Sequence, residues 1–339
     1  MDPNFKEWVI VTGGTGFLGQ ALVKHLLSLN YSVRIITRQI SNAAQQELNK
    51  YAKTSKLEFY EGDISSYDSI APAFEQVNYV FHTAGLLNSN EPYSAYERAN
   101  VKATENICQL CLKYEIEKLI YISTSDVFGL PQSNEIITED MPYRFWQESY
   151  PDSKVLGAKV VKEYQIKGLK SSIIYPGWIY GPGDKAFIPV ILQQIKDGIV
   201  PIWDNGSFKI NLVYIEDLVD GILLTLQNNS ADQQDFLLFD DDSGITMADV
   251  YQQVASLYKL KYRIINVPYW LMHRIASISQ WFCKIGLGKK PLLSTTDVKS
   301  FGFPFKFSTA KANRLLKWKK KTSFNEGIQA WHTWYQENN

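Results

Sequence analysis

The sequence predicts an α/β fold built on a doubly wound, mostly parallel sheet. Three observations predict it. A glycine-rich loop, Thr12-Gly13-Gly14-Thr15-Gly16-Phe17-Leu18-Gly19, follows a short apolar run and opens a helical pattern. Short β-branched runs then alternate with helical stretches as far as Gly183. Several of these runs are apolar at nearly every position, as strands covered on both faces are.

In order, residues 9–12 read as the first strand. Residues 17–29 follow with Leu18, Leu22, Leu26 and Leu29 at a helical period. Residues 32–37 are the second strand, and 57–60, 79–83, 118–123 and 171–175 are four more. Helices lie between them, including 95–114 and one opening at Tyr150. Such alternation implies βαβ units, whose right-handed crossovers place helices on both faces of the sheet. After Gly183 the rhythm breaks down. Residues 188–196 read as a helix, 211–215 as a strand, 216–227 as a helix returning to the larger unit, and 235–239 as a strand. Residues 240–244 form a turn, and Thr246 with Asp249 is a capping box. The expected organisation is a dinucleotide-binding unit, 1–183 joined by 207–240. A smaller, interleaved C-terminal substrate domain takes 184–206 and 241–339.

Bulk properties exclude several classes. The chain has 339 residues and 35 basic against 35 acidic side chains, so it lacks the positive balance of a nucleic-acid binder. Only three cysteines occur. Cys108 and Cys111 fall on one face of a helical pattern and read as packing rather than as a metal or redox pair. The low count and the charged residues Asp2, Lys6 and Glu7 fit a cytoplasmic protein. No stretch of 18 apolar residues is present, so no integral membrane segment is expected. Residues 270–287 come nearest and read as an amphipathic helix over the core, with peripheral membrane contact as the sharper alternative. Lys317, Lys319, Lys320 and Lys321 read as a solvated loop.

Glycine is needed in the 12–19 loop because Cβ atoms would block the tight turn and keep backbone N–H groups from a pyrophosphate. The helix that follows offers free N–H groups and a positive dipole end to the same phosphates. The loop therefore predicts a Rossmann-type dinucleotide site with Gly13, Thr15, Gly16, Phe17, Leu18 and Gly19 around the cofactor. The second strand ends Thr37-Arg38 rather than with the carboxylate that holds a ribose 2′-hydroxyl. A guanidinium suits a 2′-phosphate, so NADP(H) is expected ahead of NAD(H).

Tyr150 and Lys154 are four apart, which puts both on one helix face. Pro151 is tolerated in a first helical turn. A nearby ammonium favours phenolate, so Lys154 is expected to lower the pKa of Tyr150 toward acid/base work near neutral pH. A hydroxyl at the carboxyl end of the fifth strand completes the set. Thr124 is the choice by its spacing before Val127 and Gly129, with Ser125 as the competitor.

With these residues in hand, the chain resembles the extended short-chain dehydrogenases/reductases over nearly its full length. The matching residues are the 12–19 loop, Gly62-Asp63-Ile64, His82-Thr83-Ala84-Gly85, Asn100-Val101, the 123–129 segment, Tyr150-Pro151-Asp152-Ser153-Lys154 and 175–184. Residues 211–218 match as well, as does the closing stretch 308–334. The resemblance implies that Asp63 and Ile64 contact the adenine. It places Thr83, Ala84 and Gly85 along the cofactor, Lys154 also on the nicotinamide ribose, and Pro176 near the nicotinamide amide. It marks Asp126 as the place where some sugar-nucleotide dehydratases carry an acidic assistant, and it implies a homodimer. Two departures matter: Tyr175 replaces a common Arg, and Tyr214 a common His. They turn the reading from sugar nucleotides toward the 3β-hydroxysteroid dehydrogenase and dihydroflavonol-reductase branch. Loop 130–149, with Phe145 and Trp146, and residues 269–305 are expected to shape the substrate pocket.

The leading expectation is an NADP(H)-dependent oxidoreductase for a bulky, apolar ketone or alcohol, with Thr124, Tyr150 and Lys154 catalytic and no metal. The alternatives are a sugar-nucleotide epimerase or dehydratase that retains its cofactor, and a non-catalytic NADP(H)-sensing protein.

Overall fold

The computed structural model describes residues 7–53, 55–87, 91–132, 135–241, 244–284, 294–303 and 305–338. Expectations for Asp242 and Ser243 of the turn, and for 285–287 at the end of the amphipathic stretch, fall outside these residues.

Seven parallel strands form the main sheet: β1 (Trp8–Thr12), β2 (Ser32–Thr37), β3 (Leu57–Glu61), β4 (Tyr79–His82), β5 (Lys118–Ile122), β6 (Ser171–Pro176) and a later strand, β10 (Asp235–Leu238). Their order is β10-β6-β5-β4-β1-β2-β3. Every residue of β5, β6 and β10 is buried, which explains why their sequences show no alternation. The order reverses between β1 and β4, so a crevice opens at their carboxyl ends. The glycine loop and Thr83–Gly85 border it.

Helices α1 (Phe17–Ser28), α2 (Asn42–Asn49), α3 (Tyr67–Ile70), α4 (Tyr93–Tyr96), α5 (Ala103–Lys113) and α6 (Ser149–Ile166) join the first six strands. Helix α1 buries Leu18, Leu22, Val23, Leu26 and Leu27. The expected single helix over 95–114 is interrupted by a wide π turn at Glu97–Lys102. Hydrogen bonding outweighs helical regularity here, because that turn carries the buried Asn100 into contact with two other segments.

Three short strands had no visible period. β7 (Trp178–Tyr180) pairs with β9 (Leu212–Tyr214), and β8 (Ile199–Ile202) with β11 (Arg263–Asn266), all parallel. They carry three or four residues each, too few to display alternation. Helices α7 (Ile188–Lys196), α8 (Ile215–Gln227), α9 (Met247–Tyr258), α10 (Tyr269–Lys284), α11 (Thr295–Gly302), α12 (Ala310–Leu316) and α13 (Phe324–Asn338) complete the chain. Thr246 and Asp249 form the full capping box at the start of α9.

Two buried apolar clusters result. One surrounds the main sheet; the other joins Tyr180, Ile188, Leu192, Val250, Val254, Ile328 and Trp331. Phe305, Ala312, Leu316 and Trp318 pack into the first, although they lie in the stretch assigned to the smaller unit. The Trp318 indole ties them there by donating to the Asp217 carbonyl at 2.9 Å. Lys317, Lys319 and Lys321 are exposed, as expected of a solvated loop, while Lys320 is half-buried in an ion pair with Asp240. Cys108 and Cys111 are buried on α5, and burial pushes both thiols upward. Among the described residues no helix is long and apolar enough to cross a membrane, and no group of three side chains could hold a metal ion.

Candidate active site

The nucleotide end rests on backbone packing. Gly13 has φ +70°, and its carbonyl accepts the Gly16 N–H at 2.9 Å. A Cβ on Gly13 would lie 2.8 Å from the Ala84 nitrogen, and one on Gly19 would lie 2.1 Å from the Gly13 carbonyl oxygen. Both positions therefore require glycine, and the loop folds tightly enough to present N–H groups at the start of α1. Thr83 donates to the Thr12 carbonyl at 2.7 Å, and the Ala84 N–H donates to Thr12 Oγ1 at 3.3 Å. These bonds hold the Thr83–Gly85 segment against the loop. Phe17 packs near Gly183, where a Cβ would approach its ring to 3.0 Å. This cradle fits a dinucleotide pyrophosphate. Leu18 is buried beneath it, and the Thr15 carbonyl accepts from Gln20 at 2.8 Å.

Arg38 is exposed just beyond β2. Burial works against ionisation of Asp63, yet hydrogen bonds from Ser65 and the charges of Arg38 and Arg98 hold its carboxyl below the usual range. Arg38 and Asp63 are thus neighbours, with Arg98 a second cation there. The adjacent Ile64 carbonyl accepts from Asn106 at 3.0 Å.

The chemical end is assembled on the end of β5. Thr124 begins a 3₁₀ turn, Ser125–Phe128, and its Oγ1 accepts the Asp126 N–H at 3.3 Å. The Tyr150 phenol neighbours the Thr124 hydroxyl at this strand end. One turn along α6, Lys154 Nζ donates to the Ile122 carbonyl at 2.7 Å and lies 4.6 Å from the centre of the Tyr121 ring. Four-residue spacing on α6 thus straddles the last residues of β5. Gly157 permits the approach, since a Cβ there would sit 2.6 Å from the Tyr121 hydroxyl and 2.7 Å from the Asn100 carbonyl oxygen. Pro176 ends β6 beside this turn, in register with Leu238.

The electrostatics differ from the expectation in one respect. Lys154 does not govern Tyr150. Burial and the Asp126 charge push the phenol above its ordinary value, and the hydrogen bond from Thr124 only partly opposes them. Tyr150 is therefore a firmly protonated donor. Burial pushes Lys154 down to about 7 and raises Asp126 to about 6.

Across residues 9–238 the sequence matches the model of the NAD dependent epimerase/dehydratase family. The chain belongs to that family. It is an extended short-chain dehydrogenase/reductase, an enzyme of the dehydrogenase/reductase type with a Rossmann-like sheet. It is 27% identical over 238 residues to the human "Sterol-4-alpha-carboxylate 3-dehydrogenase, decarboxylating", a match spanning 68% of this chain and 61% of that protein. The related Candida albicans protein is 25% identical, with 97% of each chain covered. A Stigmatella aurantiaca "4-hydroxy-2-methyl-3-oxo-4-farnesyl-3,4-dihydroquinoline-1-oxide ketoreductase" is 22% identical, with 94% of each covered. Among solved structures, gox2253 superposes with a TM-score of 0.79 at 23% identity, covering 98% of this chain and 99% of that one. MoeE5 with UDP-glucuronic acid and NAD superposes at 0.75 and 19% identity, with the same coverage.

In this family member, several supporting residues escaped the sequence reading. Asn100 accepts the Leu86 N–H at 2.7 Å and donates to Ser153 Oγ at 2.9 Å, which in turn donates to the Tyr150 carbonyl at 2.7 Å. His82 bridges Thr12 at 2.8 Å and Thr104 at 3.1 Å, and burial, then Lys154, pushes it down to about 3, so it is neutral. Trp146, expected to shape the pocket, is instead buried under the site. Its indole donates to the Asp126 carbonyl at 2.6 Å and stacks on Phe305. Phe145 is exposed. Tyr175 points away from the crevice, bonding to Tyr143 at 2.5 Å and Asp235 at 3.1 Å. A polar residue fully buried within a matched motif, as His82 and Asn100 are, was the available signal.

Proposed function

We propose that this enzyme is an NADP(H)-dependent oxidoreductase interconverting a ketone or aldehyde and an alcohol on a bulky, apolar substrate. The observation that carries the reading is Lys154 anchored on the Ile122 carbonyl at the end of β5, with Tyr150 one turn earlier on the same helix and beside Thr124. Gly13, Thr15, Gly16, Phe17, Leu18 and Gly19 would hold the dinucleotide phosphates. Asp63 and Ile64 would meet the adenine, Arg38 the 2′-phosphate, and Thr83, Ala84, Gly85 and Pro176 the remaining length. A bound nicotinamide supplies or accepts the hydride at the substrate carbon. In reduction Tyr150 gives its proton to the substrate oxygen, and Thr124 Oγ1 orients that oxygen. Lys154, anchored on the Ile122 carbonyl, holds the nicotinamide ribose. In oxidation Tyr150 must first lose its proton, which burial and Asp126 oppose.

Two lines support an apolar substrate. The printed names of the relatives above describe sterol and farnesylated substrates. Tyr175, at the position of a common substrate-facing Arg, is committed to Asp235 and Tyr143. We place the substrate between the two buried clusters, with the smaller one as its binding unit. Asp126 beside Tyr150 favours a second reading, elimination or epimerisation of a sugar nucleotide with the cofactor retained. An NADPH-consumption screen separates the two. It should cover steroid-like, flavonoid-like and simple aromatic ketones beside a panel of sugar nucleotides. Net NADPH oxidation with an apolar ketone is expected; turnover of a sugar nucleotide without net cofactor change would favour the second reading.

A further inference from the structure

Helix α10 leaves a broad apolar face uncovered. At about 100° per residue, Trp270, Leu271, Arg274, Ile275, Ile278, Trp281 and Phe282 share one face. That face is turned to solvent: Trp270 is 59% exposed, Ile278 56% and Trp281 55%. The opposite face carries Ala276, fully buried, with Tyr269, Met272, His273, Ser279 and Gln280, all at least partly covered, and Tyr269 packs on Phe303. Gln280 accepts from Thr295 of α11 at 3.0 Å. Packing thus covers Tyr269, Met272 and Ala276 and still leaves tryptophan, isoleucine and phenylalanine outside. An apolar face this contiguous calls for an occupant.

The charge pattern says which. From residue 250 to residue 296 the sequence contains no aspartate or glutamate, yet it holds Lys259, Lys261, Arg263, Arg274, Lys284, Lys289 and Lys290. The whole chain is neutral. A cationic, carboxylate-free stretch of sequence that contains this aromatic and aliphatic face complements an anionic lipid surface. Arg274 stacks over Trp270 at 5.5 Å, joining cation and aromatic as side chains at a headgroup boundary do. Sixteen residues give a helix of roughly 24 Å, shorter than a bilayer core, so it would lie in the plane of the surface.

We propose that the outer face of α10 seats this enzyme on a phospholipid bilayer bearing anionic headgroups. The helix inserts Trp270, Ile278, Trp281 and Phe282 to the level of the acyl-chain boundary, and Arg274 beside Trp270 meets the headgroups. The proposal does not depend on which carbonyl the enzyme reduces.

Flotation of the full chain with vesicles tests it. Phosphatidylcholine alone is compared with phosphatidylcholine mixed with phosphatidylserine. At about 0.1 M salt the protein should float with the mixed vesicles about tenfold more than with the neutral ones, and salt at about 0.5 M should weaken that binding. Ile278→Glu with Trp281→Glu should abolish flotation while thermal unfolding stays unchanged. Arg274→Glu, which leaves the apolar face intact, should reduce the preference for anionic vesicles. Failure of the wild type to float, or flotation of the double variant like wild type, overturns the proposal. So does a wild-type dimer in sedimentation that Ile278→Glu splits, since a second copy would then cover this face.

Discussion

Lys299 Nζ lies 2.7 Å from Glu148 Oε1, and Glu148 is the residue at the N-cap of the helix that carries Tyr150. The same carboxylate accepts from Thr295 at 3.0 Å and Thr296 at 3.2 Å, while Lys299 also donates to the Trp146 carbonyl at 3.0 Å. Trp146 in turn supports the Asp126 turn. Helix α11 therefore grips the start of α6 and the turn that holds Thr124.

Removing this grip has a defined consequence. Lys299→Met leaves a largely covered carboxylate with one partner fewer, a loss of roughly 1–3 kcal/mol. The melting temperature should fall by a few degrees, and kcat should fall more than cofactor affinity does. Thermal unfolding and a cofactor titration measure the two effects separately. A lowered cofactor affinity with unchanged kcat would place the effect in the nucleotide end instead.

Asp126 gives a pH signature. Its folded pKa, about 6, lies above the ordinary carboxylate value because burial disfavours the charge. A group with a raised folded pKa binds its proton more tightly when folded. Its ionisation therefore costs stability progressively as pH rises from about 4 to about 6, and the cost is constant above that. Asp126→Asn should gain on the order of 1–3 kcal/mol over wild type at pH 7.5 and lose most of that gain by pH 4. It should also let Tyr150 ionise at lower pH, shifting the alkaline limb of the oxidation rate downward. Melting curves at the two pH values and a pH–rate profile check both. Equal melting differences at pH 4 and 7.5 would remove Asp126 as a buried, ionising group.

Arg38 sets the cofactor expectation. Arg38→Asp should lower kcat/KM for NADPH by about 10- to 100-fold, the scale of one lost charge-assisted contact, and change that for NADH little or favourably. Steady-state kinetics with both cofactors decide. A wild-type preference for NADH would defeat the assignment of Arg38 to a 2′-phosphate.

The main sheet was legible because β5, β6 and β10 are buried on both faces and the strands are separated by clear helical periods. The glycine loop was legible because it needs residues without Cβ at fixed spacing. Tyr150 and Lys154 were legible because α6 repeats every 3.6 residues and both side chains must reach one strand end. The π turn at Glu97–Lys102 was not, since it follows from what Asn100 bonds to across the fold. Strands β7, β8 and β11 were too short to show a period. The raised pKa of Tyr150 was invisible because spacing reveals which cation is near but not how much water is excluded. Trp146 could not be placed from composition, because an aromatic near a site can line a pocket or floor a turn.

The central claim is that Tyr150 delivers the proton while the dinucleotide is held by other residues. Tyr150→Phe tests it most directly, with NADPH binding and turnover measured on the same preparation. Turnover should fall by about a thousandfold or more while the cofactor dissociation constant changes less than about twofold. Turnover within about tenfold of wild type would contradict the assignment of Tyr150 as the acid.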